Sequence, residues 1–134
     1  MPGYSGTPLP KKLGIKSGFR TFFVDPPAEV LAELHPALKE CEQLKVSKIP
    51  LDFAMLFTTS RSHLDKEFAA ITKALAPAGM LWVSWPKKSS GVKTDLDENV
   101  VRGVGLQAGL VDVKVCAVTE IWSGLKFVRR VKDR

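Results

Sequence analysis

Two kinds of hydrophobic pattern alternate along this chain. LDFAMLFT (51–58) and MLWVSW (80–85) are apolar at almost every position, whatever the parity. Runs of that length predict strands covered on both faces, as in a parallel sheet. FRTFFV (19–24) is aromatic and β-branched and closes on Asp25-Pro26-Pro27, where consecutive prolines end a ladder. VDVKVCAV (111–118) and LKFVRRV (125–131) read as an antiparallel pair with their turn at 121–124, and a weak extended piece is expected at 44–46.

Between these runs the period changes to that of a helix. Leu64, Phe68, Ile71 and Leu75 fall at i, i+4, i+7 and i+11, one stripe of a helix starting near Ser60 and stopped by Pro77 and Gly79. Val30, Leu31 and Leu34 predict an earlier helix that breaks at His35, because a residue before proline is biased away from helical angles, and resumes through Leu38. Leu96, Val100, Val101, Val104 and Ala108 form a third stripe, with Asp95 and Glu98 spaced as a capping box. Gly103 and Gly105 weaken that helix by about 1 kcal/mol each relative to alanine.

Alternation of strands and helices predicts an open α/β sheet, mostly parallel, ending in an antiparallel hairpin. The expected organisation is an irregular N-terminal arm over 1–18, rich in Gly and Pro, and a single domain over 19–134.

Composition adds compartment and charge. A chain of 134 residues, 45% hydrophobic and 25% charged, is long enough for a core that needs no disulfide or metal. Cys41 and Cys116 lie far apart with no CxxC, no run reaches 18 apolar residues, and no apolar h-region opens the chain. A cytoplasmic protein with neither signal peptide nor membrane contact is expected. The net charge of +6 is concentrated at Lys11, Lys12, Lys16 and Arg20 and at Lys126, Arg129, Arg130, Lys132 and Arg134. Such clusters either solvate the surface or meet phosphates and acidic partners.

Open α/β sheets bind ligands beyond the carboxyl ends of their strands. That rule selects Asp25 after the first strand, Thr58, Thr59, Ser60 and Arg61 after LDFAMLF, and Lys87, Lys88, Ser89 and Ser90 in WPKKSSG. A parallel VDVKVCAV would add Glu120, Trp122, Ser123 and Gly124. Each group has a structural reading beside the functional one. Ser60 is a natural N-cap with Arg61 solvated in the first turn, or the helix start and Arg61 hold an anion. Lys87 and Lys88 pair with Asp95 and Asp97, or belong to an anion-binding loop. GxxxxGK[ST], HExxH and GxSxG are all absent, which argues against a P-loop, a zinc site at His35 or His63, and a serine nucleophile. Cys116 inside a strand reads as an inert thiol, and Trp82 and Trp85 as core.

Leu75, Pro77 and Gly79, leading into MLWVSW, together with the closing hairpin, make the element order similar to the later half of class I S-adenosylmethionine-dependent methyltransferases. GYSGTPLPKKLGIK, LFTTSR, LWVSWPKKSSGV and WSGLKFV resemble, over nearly the whole chain, a bacterial family of small proteins defined as a domain of unknown function. The resemblance implies a three-layer Rossmann-like fold and makes S-adenosylmethionine the cofactor to consider. It departs most at the first turn: the glycine-rich turn that cradles the cofactor in those enzymes is replaced by Val24-Asp25-Pro26-Pro27, where two prolines remove two N–H donors. The second strand also ends in no evident acidic residue to hold a ribose.

The expectation is therefore a methyltransferase-like protein, without catalysis, that binds an anionic small molecule or a protein partner at its carboxyl rim. A divergent methyltransferase with Asp25 near the reacting group, and a nucleic-acid binder using the basic C-terminal strand, are the alternatives. LKFVRRV is expected at the sheet edge, where its charges resist pairing with another strand.

Overall fold

The computed structural model describes residues 6–45 and 50–134. Helix α1 (Leu9–Leu13) leads into strand β1 (Arg20–Val24), helix α2 (Ala28–Leu38) and strand β2 (Glu42–Leu44). Strand β3 (Leu51–Phe57), helix α3 (Arg61–Ala74), strand β4 (Leu75–Pro86) and helix α4 (Glu98–Gln107) follow, then strands β5 (Leu110–Ala117) and β6 (Trp122–Arg129). One six-stranded sheet has the order β2-β1-β3-β4-β6-β5. β6 runs antiparallel to both β4 and β5, while β1 pairs in parallel with β2 and β3, and β3 with β4.

Two hydrophobic clusters cover the two faces, giving three layers. Leu64, Phe68 and Ile71 of α3 and Val101 of α4 pack on one face against Leu51, Leu81, Val83, Leu125 and Phe127. On the other, Leu9 and Leu13 of α1 and Val30, Leu34 and Leu38 of α2 pack against Phe53, Met55, Phe57 and Trp82. The doubly apolar runs are doubly covered because successive residues of one strand serve the two clusters in turn.

Several expectations change. The segment 1–18 is not irregular throughout: over Leu9–Leu13 it is helical, capped by Gly14 at φ 86°. It is pinned by the Trp82 indole N–H, which donates to the Leu13 carbonyl at 2.9 Å. α2 does not break at His35; Pro36 lies inside it. That position costs one internal hydrogen bond in the last turn, where the helix is about to end, while Leu34 and Leu38 on the same stripe are buried.

β4 begins at Leu75, five residues before the expected start, because Leu75 already pairs with Leu51 before a register shift. Gly79 sits at that irregularity, where a Cβ would stand 2.5 Å from the Leu51 carbonyl oxygen. α4 is capped by Asp97, whose carboxylate accepts from the Val100 N–H at 2.8 Å, rather than by Asp95. The last turn lies earlier than 121–124, since β6 starts at Trp122. β6 is also interior to the sheet; the edges are β2 and β5. Of the weak strand expected at 44–46, Leu44 belongs to β2 and Val46 lies outside the described residues.

Polar anchoring sits at the opposite end. Arg20 grips Asp52 through its backbone N–H, Nε and Nη2 at 2.9, 3.0 and 3.1 Å. The guanidinium hydrogen bond holds the Asp52 carboxyl below the usual carboxylate range.

Candidate functional site at the carboxyl edge of the sheet

The parallel strands deliver their exits to one rim: Asp25 after β1, Thr58 after β3, Lys87 after β4 and Val118 after β5. β5 and β6 turn around there, with the Val118 N–H donating to the Trp122 carbonyl at 2.9 Å. The Lys87 N–H donates to the Ile121 carbonyl at 2.8 Å, tying the β4 exit to that turn.

At the β1 and β3 exits a carboxylate, an imidazole and a hydroxyl stand in line. His63 Nδ1 is 2.7 Å from Thr58 Oγ1, and His63 Nε2 is 3.6 Å from Asp25 Oδ2. Asp25 adopts φ 51°, the one non-glycine left-handed residue among those described. Aspartate tolerates that region better than most residues, and strain of this kind gathers at functional turns. The buried Thr58 hydroxyl has a single proton and two acceptors in reach, His63 Nδ1 and the Ser60 carbonyl at 3.2 Å. When the proton points to Ser60, Nδ1 carries the imidazole hydrogen. When it points to His63, the hydrogen on Nε2 faces Asp25. In the sequence His63 reads only as a metal-ligand candidate, and its place three residues after the Ser60 N-cap is the signal for the first turn of α3. Among the described residues no group of three or more His, Cys, Asp or Glu could hold a metal ion.

The start of α3 is already served by this chain's own side chains. Ser60 Oγ accepts from the His63 N–H at 3.2 Å, the N-cap expected. The carboxylate of Asp95 takes the Arg61 N–H at 2.8 Å, and the Thr94 hydroxyl donates to the Thr59 carbonyl at 2.6 Å. The Arg61 guanidinium pairs with Asp65 at 2.9 Å. An acidic side chain from the loop before α4 thus occupies the place where an anion would be drawn to this helix.

WPKKSSG folds into a single 3₁₀ turn, Lys88–Ser90, ending at Gly91 with φ 77°. The Ser90 hydroxyl closes that turn by donating to the Lys87 carbonyl at 2.6 Å and accepts from the Val92 N–H. Lys88 and Ser89 are exposed and Lys87 is half-buried. Trp122 packs edge-on to Phe57 at 5.3 Å, and the Ser123 carbonyl accepts from the buried Ser84 hydroxyl at 2.7 Å. The candidate residues therefore share one rim without converging on one point.

A cavity of about 290 Å³ lies between α2 and the β5–β6 turn, lined by Glu29, Glu33, Thr119, Glu120 and Ile121. Three carboxylates give it a negative field. Thr119 is buried, and its Oγ1 accepts from the Ile121 and Trp122 N–H groups, which holds the turn rigid.

No family model matches the chain, and no curated protein does. Solved structures do. An S-adenosylmethionine-dependent methyltransferase from Aquifex aeolicus superposes with a TM-score of 0.56 at 18% identity, over 87% of this chain and 85% of that one. The magnesium protoporphyrin IX methyltransferase of Synechocystis, solved with bound S-adenosylmethionine, gives 0.58 at 9% identity over 91% and 74%. The precorrin-6y C5,15-methyltransferase of Geobacter metallireducens gives 0.57 at 8% over 91% and 86%. The fold is thus Rossmann-like, of the methyltransferase kind. Among the described residues no helix is long and apolar enough to cross a membrane.

The cofactor that fold implies meets a mixed reception. The β1–α2 turn does not fit a glycine cradle: Pro26 and Pro27 offer no N–H, and Pro27 is the N-cap of α2. The cavity beside α2 does suit a ligand with positive charge.

Proposed function

We propose that the chain is a divergent S-adenosylmethionine-binding protein that holds its ligand at the carboxyl edge by carboxylates instead of a glycine-rich turn. The observation that carries this reading is the cavity between α2 and the β5–β6 turn, placed where open α/β sheets bind ligands. Glu29, Glu33 and Glu120 set the ligand's charge, and a sulfonium and an ammonium give S-adenosylmethionine a net positive one. The anionic ligand expected at the start of α3 is displaced from the reading by Asp95, which already satisfies the Arg61 N–H. The fold likeness supports the choice of cofactor.

Calorimetry tests it. S-adenosylmethionine should bind in the micromolar to millimolar range, and the neutral demethylated product should bind more weakly because it lacks the sulfonium. E29Q/E120Q should narrow that difference. Equal affinity for the two ligands, or no heat with either at millimolar concentration, overturns the reading. Thermal stabilisation by phosphate or nucleotides that D95A alone strengthens would restore the anion site at α3.

A further inference from the structure

The face of β5–β6 turned toward α1 gathers positive charge, and among the described residues no ion pair involves Lys16, Lys87, Lys114 or Lys126. Lys114 and Lys126 are direct partners across the antiparallel pair. Side chains so placed start about 5 Å apart, and like charges there are unfavourable. The Lys126 ammonium is lowered from its ordinary value, first by burial and then by Lys114 and Lys16, both cationic. Lys126 reaches α1's end: its Nζ would lie 3.7 Å from a Cβ at Gly14, whose φ of 86° lets the chain turn there with no side chain in the way.

More lysines arrive from other segments. Lys114 Nζ donates to the Lys12 carbonyl at 2.8 Å, and Lys12 Nζ donates to the Ala117 carbonyl at 3.0 Å. Lys12, Lys114 and Lys87 all act on the Cys116 thiol near the end of β5; burial outweighs them and pushes that thiol up. Five ammonium groups from α1 and its exit, β4's exit, β5 and β6 therefore border one patch. An ordinary solvated surface interleaves charges of both signs, as the opposite face of these strands does with Glu98, Arg102 and Asp112.

We propose that this face binds a compact, multiply charged phosphoryl ligand of the pyrophosphate or triphosphate type, between Lys114 and Lys126 with Lys16 and Lys87 at its two ends. An anion of several charges on adjacent phosphoryl groups relieves the Lys114–Lys126 repulsion in one contact. A nucleic-acid backbone spaces single charges along an extended strand and matches a long stripe better than this short patch beside α1. The site is separate from the acidic cavity between α2 and the β5–β6 turn and does not rest on it.

The test is thermal shift at low salt with inorganic tripolyphosphate, with inorganic phosphate at equal ionic strength as control. The unmodified chain should be stabilised by tripolyphosphate far beyond the control. K114Q/K126Q should bind roughly tenfold more weakly or worse, while melting, without ligand, at or above the unmodified temperature, which shows that it folds. ATP matching tripolyphosphate, with AMP inactive, assigns the triphosphate tail of a nucleotide; tripolyphosphate alone assigns free polyphosphate. An equal shift in the double variant, no shift in the unmodified chain, or a larger shift with a short oligonucleotide than with tripolyphosphate each overturns the proposal. S-adenosylmethionine binding should be the same in both proteins, so the two readings fail independently.

Discussion

The two faces of the β5–β6 pair are built from the same two strands and treat charge in opposite ways. On the α4 face, Arg102 reaches Asp112 at 2.9 Å and Glu98 on its own helix, one cation between two anions. Beside it the Phe127 ring stands edge-on to Phe68 at 5.5 Å and fills the space left by Gly105. On the α1 face, Lys114 opposes Lys126 and further lysines gather around. A register shift between Asp112 and Lys114 makes the switch, sending the acid to one face and the base to the other although they are two residues apart. The first face is arranged for stability; the second gives some stability up, as binding surfaces do.

The largest effect is expected where the α4 face is most tightly packed. A Cβ at Gly105 would lie 2.0 Å from Phe127 Cε1. G105A should therefore destabilise by about 2–3 kcal/mol in urea denaturation, despite the better helix propensity of alanine. Combining it with F127L should recover part of that loss in a double-mutant cycle. Additive effects would mean that the glycine is not there for the ring.

Next comes the charge on that face. D112A leaves Arg102 with Glu98 and Asn99 of its own helix and should lower stability slightly in the same urea denaturation. If D112A is neutral, the α4 face owes nothing to compensation and the contrast between the faces weakens.

How much of this was legible depends on the distance over which each feature is set. The doubly apolar runs and the Leu64, Phe68, Ile71 stripe are local patterns, and the strands, α3 and the Ser60 cap follow them directly. α1 has five residues, too few for a period to show, and its Leu9 and Leu13 gain their role only in the cluster they form with α2 and the sheet. Asp95 looked like a cap for α4 by spacing, yet it serves α3, because a loop chooses its helix by where it crosses in space. His63 acquires meaning only when the β1 and β3 exits lie side by side. The basic strand LKFVRRV reads as an edge strand, whereas β6 inserts between β4 and β5. Arg129 in it is structural, its Nη2 donating to the Thr72 and Leu75 carbonyls at 2.6 and 2.8 Å and closing the end of α3. The facing of Lys114 and Lys126 needs the register, and no reading of one strand at a time supplies that.

The smallest effect tests the α1 face itself. K114E places a carboxylate opposite Lys126 and makes this face resemble the other, so it should raise stability at neutral pH by roughly 0.5 kcal/mol, allowing for screening at a half-exposed site. Alkali provides the same relief by titration. Because Lys126 holds its proton less tightly when folded, the unfolded chain binds more protons between the folded value and the ordinary lysine value of 10.5. Stability from this group therefore rises with pH through that window, and the full penalty applies below it. In K126M the alkaline rise should be smaller and the stability at pH 7 higher. An identical pH profile in K126M would mean that the lysines do not oppose one another, and the α1 face would then be an ordinary solvated surface.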